Sequence, residues 1–223
     1  HAMDALVRQT TDDFEFHTQW TALHNFCAVE LSAFYFDIRK DALYCDSVDS
    51  VRRRAARTVL DALFSYLTAW LAPILCFTAE EAWLARRSGS DVDSVHLRTF
   101  PDVPNTWRDD ALANKWEKVR NLRRVVTGAL EIERAEKRIG SSLQAAPTVY
   151  VDGETAAAMT GLDLAEICIT SGGTLVEAAP PDSAFRLSDV EALAVEPALA
   201  EGEKCARCWQ VLPDVGASDY PDV

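Results

Sequence analysis

Residues 16–38 read FHTQWTALHNFCAVELSAFYFDI. In this stretch Phe16, Trp20, Leu23, Cys27, Leu31, Phe34 and Ile38 recur at steps of three and four. That spacing stacks side chains on one face of an α-helix and predicts a helical first half of the chain. Working outward, Asp46-Ser-Val-Asp-Ser50 is a polar break rich in N-cap residues. A second helix follows, with Val51, Ala55, Val59, Ala62, Tyr66 and Trp70 on one face and Arg52, Arg53, Arg54 and Arg57 on the other side of its start. Pro73 ends or bends it. Thr78-Ala-Glu-Glu81 has capping-box spacing and predicts a third helix from there, carrying Trp83. Residues 88–108, with Gly89, Pro101 and Pro104, read as loop. A long helix is expected from Asp110 to Ile139, with Leu112, Trp116, Val119, Leu122, Val126 and Leu130 as its apolar face and Gly140 as a left-handed stop. Trp20, Phe34, Trp70, Trp83 and Trp116 are expected in the core. His1-Ala2-Met3 has the look of a cloning remnant and stays outside this reading.

Beyond residue 140 the period changes. Thr148–Val151, Glu166–Thr170 and Ala192–Glu196 are β-rich, Glu154–Gly161 reads as a short helix, and Gly172-Gly173 suggests a tight turn into Thr174–Glu177. The chain is therefore expected to be mainly α: a helical bundle, then a small α+β module, then a cysteine-containing tail, poorly ordered from about Gly216.

With 223 residues and 48% hydrophobic side chains, the chain can bury a core without covalent staples. No apolar run is long enough to cross a bilayer, and no signal-type N-terminus is visible. The six cysteines make no disulfide framework: Cys27, Cys45, Cys76 and Cys168 are scattered singly, which fits a reducing cytoplasm and cysteine used as a small hydrophobe. The net charge of −13 excludes a generally basic nucleic-acid binder. The charge is uneven, however: residues 152–223 hold 14 acidic and 3 basic side chains, whereas residues 1–151 hold 21 and 19. A polyanion site is expected in the first two-thirds or at a local basic spot in the tail. No Gly-rich phosphate loop is present and no Ser-His-Asp order is convincing, so no catalytic residue is assigned.

Gly202-Glu-Lys-Cys205-Ala-Arg-Cys208-Trp209 is the sharpest local signal. Two cysteines two residues apart can present both thiolates to one metal, while a structural zinc needs four ligands. The pair reads as half of a zinc ribbon; a redox pair or a chance spacing are the alternatives. His1, His17, His24 and His96 all lie far upstream.

These residues, with Phe26-Cys-Ala-Val-Glu-Leu-Ser-Ala-Phe-Tyr-Phe-Asp-Ile-Arg-Lys-Asp41, Asp49-Ser-Val-Arg-Arg53, Leu71–Trp83, Lys137-Arg-Ile-Gly-Ser-Ser-Leu143 and Ile169-Thr-Ser-Gly172, resemble in order the C-terminal region of bacterial isoleucyl-tRNA synthetases. The resemblance implies an anticodon-binding helical bundle over 4–108, a long connecting helix over 109–140, a small α+β module over 141–200 and a partial zinc-binding module over 201–223. It implies tRNA-Ile as partner and a monomeric, cytoplasmic parent enzyme that charges tRNA-Ile with isoleucine. Zinc would be held at Cys205 and Cys208, a half-site expected to bind it poorly without a second cysteine pair. ATP and magnesium belong to a catalytic domain whose His-Ile-Gly-His and Lys-Met-Ser-Lys-Ser signatures are not found here, so neither aminoacylation nor editing is expected of this chain. The same region of a valyl or leucyl enzyme, or a helical interaction module sharing only a glycosylase-type zinc turn, are the alternatives.

Anticodon loops are read by stacking unpaired bases on aromatic or guanidinium planes. Trp209 is expected to stack and Arg207 to meet a phosphate or base edge, the alternative being that Trp209 packs over the metal turn. Arg52, Arg53 and Arg57 are candidate phosphate contacts, or a solvated face paired with Asp46 and Asp49. Lys115, Lys118, Arg120, Arg123, Arg124, Lys137 and Arg138 form a second basic cluster that faces RNA or pairs with Glu117, Glu131 and Glu133.

Overall fold

In the computed structural model, which describes residues 1–86, 93–217 and 222, the chain divides into two units, His1–Arg108 and Asp109–Val223.

The first unit is built from helices. The sequence pattern gives no sign of α1 (Ala2–Asp12), whose Val7 is fully buried. Met3 packs on the cluster of Val7, Leu23 and Trp70. From Phe16 to Tyr44 the chain is helical throughout, as α2 (Phe16–Asn25), a π-helical stretch (Phe26–Phe36) and α3 (Asp37–Tyr44). A π-helix carries more residues per turn than an α-helix and shifts the phase of the face. Leu23, Leu31, Ile38 and Ala42 are buried, whereas Phe16 and Trp20 remain 38% and 36% exposed. Gln19, not Trp20, faces the core: its Nε2 donates to Trp70 O (3.1 Å) and its Oε1 accepts from Thr11 Oγ1 (3.1 Å), so the buried amide is satisfied. Apolar spacing cannot reveal a core position held by a glutamine.

Ser50 caps α4 (Val51–Leu71), accepting from Arg53 N. The stripe expected on this helix is wrong over its first turns: Val51 and Val59 are 80% and 42% exposed, and burial runs through Ala56, Thr68, Ala69 and Trp70. Helix α4 stops just before Pro73, as expected, and α5 (Cys76–Arg86) begins two residues ahead of Thr78. Glu80 does not close a capping box; its carboxylate accepts from Val95 N (2.7 Å) and fixes the 3-10 turn Val95–Leu97. A second small core joins Ala72, Ala79, Trp83 and Val95. Phe64 stacks on Trp83 with 6.3 Å between ring centroids, Arg98 lies 4.0 Å over the same indole, and Trp83 Nε1 donates to Asp93 O. Of the five aromatics expected in the core, Trp70 and Trp83 are buried, Phe34 and Trp116 half-buried and Trp20 exposed.

In the second unit, α6 (Asp110–Ala135) is capped by Asp109, whose carboxylate accepts from Leu112 N (2.8 Å), a cap that contributes about 1 kcal/mol. Val119, Leu122, Val125, Val126, Ala129 and Leu130 are at most 2% exposed, while Leu112 is 49% exposed. The helix packs on a sheet of β1 (Thr148–Tyr150), β2 (Thr174–Val176), β3 (Phe185–Leu187) and β4 (Val190–Glu196), in the order β2-β1-β4-β3. The residue of left-handed backbone after the helix is Lys137 (φ 59°), not Gly140.

The strand expected at Glu166–Thr170 is instead helix α8 (Leu164–Cys168), which follows α7 (Gly153–Met159). Asp163 caps it by accepting from Ala165 N, and Arg123 of α6 donates to Ile167 O (2.9 Å) at its other end. Those tertiary partners override the β-branched composition. Strand β2 consequently pairs parallel with β1 after a helical crossover, not as a hairpin. Gly172 and Gly173 make no left-handed turn. Gly173 is needed because a Cβ there would sit 2.8 Å from Leu164 Cδ2 and 3.1 Å from Pro147 O. Cys168 is buried, and burial pushes its thiol up to about 12, whereas Cys45 and Cys76 are exposed and Cys27 is half-buried. The expectation for the tail from Gly216 falls mainly on residues 218–221 and 223, which lie outside the described residues. Among the described residues no helix is long and apolar enough to cross a membrane.

Candidate functional site

Two short strands, β5 (Glu203–Lys204) and β6 (Val211–Leu212), pair antiparallel and close the Cys205–Gln210 turn. Cys205 N donates to Gln210 O (2.8 Å) and Trp209 N to Cys205 O (2.9 Å). Gly202 has φ +120°, and a Cβ there would lie 2.2 Å from Leu212 O, so glycine is the residue that lets the hairpin close. Backbone N–H groups of Cys208 and Arg207, with the Cys208 side chain, hydrogen-bond the Cys205 sulfur and hold its thiol below the ordinary value. Burial pushes the Cys208 thiol up. Two sulfurs from one turn, one with its thiol held down by backbone N–H groups, fit half of a tetrahedral zinc set. Among the described residues no third His, Cys, Asp or Glu joins them.

The hairpin is pinned to the α+β module by Ser171. Its hydroxyl donates to Leu143 O and accepts from Val211 N (2.7 Å). This explains the Ile169-Thr-Ser-Gly172 signature, which the sequence offered without a role. Thr170, fully buried, donates through Oγ1 to Gly172 O (2.8 Å).

Trp209 stands outward at 62% exposure, with left-handed backbone (φ 66°). It is not buried against the cysteine turn. Lys204 Nζ lies 5.3 Å from the centre of the indole, and Arg207 beside it is exposed. Lys204 and Trp209 line a cavity of about 270 Å³ with Gly140, Ser141 and Gln144. Gln144 Oε1 accepts from Gly140 N (2.6 Å) and Ser141 N (3.3 Å), which sets the shape of that wall. Lys204 and the 140–144 turn are invisible as a pair in the sequence because only folding brings residues 60 positions apart together.

The arginines at the start of α4 separate into two groups. Arg52 forms an ion pair with Asp46 (2.6 Å), and Arg53 Nη1 donates to Asp46 O (2.7 Å). With the Ser50 hydroxyl, which also donates to Asp46 (2.8 Å), they clasp the turn before the helix. Hydrogen bonds from Arg52 and Ser50 hold the Asp46 carboxyl down at about 2. Arg57 lies apart from them, in an open groove with Arg54, Thr58, Asp61 and Arg86.

The second basic cluster is largely engaged within its own unit. Lys118 pairs with Glu154 (2.5 Å), Arg124 with Asp189 (2.9 Å) and Arg138 with Glu133 (2.5 Å), while Lys115 donates to Thr160 O. Most of these partners lie on other elements instead of one helical turn away.

A family model described as the anticodon-binding domain of tRNA ligase matches residues 1–150. Over 223 residues the chain is 55% identical to a protein named isoleucine–tRNA ligase from Agrobacterium fabrum and 56% identical to one of that name from Brucella abortus, covering 99% of this chain and 23% of each relative. A relative of the same name from Ruegeria pomeroyi is 54% identical over 222 residues, with the same coverage. The chain thus spans about a quarter of the length of the curated relatives it matches. A family match over residues 1–150, two-thirds of the chain, and the helical first unit agree with one another: the chain belongs to the anticodon-binding domain family of tRNA ligases.

Proposed function

We propose that this chain supplies the tRNA-reading surface of an isoleucine–tRNA ligase, with Trp209 as the platform on which an unpaired base of tRNA-Ile stacks. The observation that carries the proposal is the 62% exposure of an indole fixed in left-handed backbone. A large side chain in that conformation is disfavoured by about 1–2 kcal/mol, and most of this indole stays in solvent. Lys204 lies over the ring, and Arg207, exposed two residues before it in the turn, offers a second cation to a phosphate or base edge. Cys205 and Cys208 would hold zinc, which when bound ties the turn together as a structural cross-link. Of the arginines on α4, Arg52 and Arg53 act through the Asp46 turn and Arg57 is open to RNA. The names of the relatives favour the isoleucine enzyme over a valyl or leucyl one and over a glycosylase-type module. Amino-acid activation with ATP and magnesium is assigned to no residue of this chain, which acts as a single copy.

The test is equilibrium binding of the 223-residue chain to tRNA-Ile, to tRNA-Ile with a changed anticodon and to an unrelated tRNA. Trp209→Ala is expected to weaken binding of tRNA-Ile by about 1–3 kcal/mol, the range for one stacked base, and to narrow the gap to the other two. Equal affinities for all three RNAs, unchanged by Trp209→Ala, would refute the proposal.

A further inference from the structure

Four residues of α4 and one of α5 make a feature that anticodon stacking does not use. Arg54, Arg57, Thr58 and Asp61 lie at i, i+3, i+4 and i+7, one stripe of the helix. With Arg86 they line an open groove of about 370 Å³. Asp61 holds Arg86 at 2.7 Å, both side chains being more than half exposed. Among the described residues Arg54 and Arg57 have no ion-pair partner, in contrast to Arg52, which is held by Asp46. The Thr58 hydroxyl donates to Arg54 O (3.0 Å), so the donors that face the groove are guanidinium groups.

We propose that Arg54, Arg57 and Arg86 form a seat for a backbone phosphate of RNA, a contact that rests on the RNA-reading role and adds a sequence-blind term to it. Three arginines line the groove against one carboxylate, and a guanidinium fork matches the spacing of phosphate oxygens. The groove is open, so a small free anion would remain hydrated and weakly held. A polynucleotide gains in addition by releasing condensed counterions when a phosphate is neutralised. In a chain of net charge −13 this locally basic stripe is a place where a polyanion meets little repulsion. Asp61 sets the strength of the seat by neutralising Arg86 in the absence of RNA.

The test uses the 223-residue chain, a tRNA-Ile anticodon stem-loop and a stem-loop of equal length with an unrelated loop, titrated from about 50 to about 200 mM salt. Arg54→Gln with Arg57→Gln is expected to lower the slope of log affinity against log salt by about 0.9 for each phosphate that is no longer neutralised. For one phosphate, wild type then weakens about 3.5-fold more across that range than the double variant, on both RNAs alike. The corresponding Arg→Lys pair keeps the slope, and Asp61→Asn tightens binding at low salt. All of these positions are solvent-facing, and circular dichroism verifies that each variant keeps its helices. An unchanged slope in the Arg→Gln pair, or no measurable binding of either RNA at the lowest salt, overturns the seat. Trp209→Ala separates the two proposals: it acts on the cognate loop alone if the indole reads bases, whatever the arginine variants do.

Discussion

Replacing Ser171 with alanine removes one hydroxyl that serves two segments. In the structure that hydroxyl donates to Leu143 O and accepts from Val211 N at 2.7 Å. Each hydrogen bond contributes about 1 kcal/mol net, and each partly buried group left without a partner retains part of a desolvation penalty of about 1–3 kcal/mol. We therefore expect the β5–β6 hairpin to open about 2 kcal/mol more easily, which at about 1.4 kcal/mol per decade is a rise of roughly 30-fold in the open population. The assay is the alkylation rate of Cys205, 4% exposed in the closed state, read peptide by peptide by mass spectrometry. Cys45 and Cys76, exposed in the first unit, serve as internal references whose rates stay constant. Ser171→Thr, which keeps the hydroxyl, restores much of the protection. A Cys205 rate within a factor of two of wild type in Ser171→Ala would show that the hairpin is held by something other than this hydroxyl.

Gly202→Ala should open the same hairpin by a different route, since its Cβ would lie 2.2 Å from Leu212 O on a backbone at φ +120°; strain of about 1–3 kcal/mol is expected from the backbone alone, and unaltered Cys205 alkylation would refute it. The Asp46 carboxyl is depressed from 3.8 to about 2 in the folded chain. Its stabilising contribution is therefore complete above pH 3.8 and is lost as pH falls through about 2. The stability difference between wild type and Asp46→Asn, measured by urea unfolding from about pH 6 to about pH 2, should shrink toward the acid end; a difference independent of pH would exclude the Arg52–Asp46 clasp as its source.

The sequence shows most of what depends on local chemistry. Ser50 and Pro73 bound α4 as their residue types require, and the 3.6 period of Val119, Leu122, Val126 and Leu130 identifies the buried stripe of α6. What escaped depends on partners distant in sequence. Gln19 is a core residue because Thr11 and Trp70 O satisfy it, which no hydropathy pattern shows. Residues 164–168 are helical with Asp163 as an adjacent cap and with Arg123, 44 positions earlier, donating to Ile167 O at the far end, a contact that no local pattern shows. Of the candidate site, Trp209, Arg207 and the cysteine pair were legible as a motif, and the hairpin fixes their backbone. For Arg52, Arg53 and Arg57 the sequence offered both phosphate contact and pairing with Asp46; Asp46 holds the first two, and that the third opens into a groove with Arg86 follows from the packing of α4 and α5.

The left-handed conformation of Trp209 sets two demands against each other. Glycine or asparagine would sit in that backbone with less strain and would relax the turn, but neither carries an indole. The position thus trades local stability for an aromatic plane facing the solvent. A redesign of this chain guided by stability alone would replace this residue early, and with it the surface on which the proposed base stacking rests.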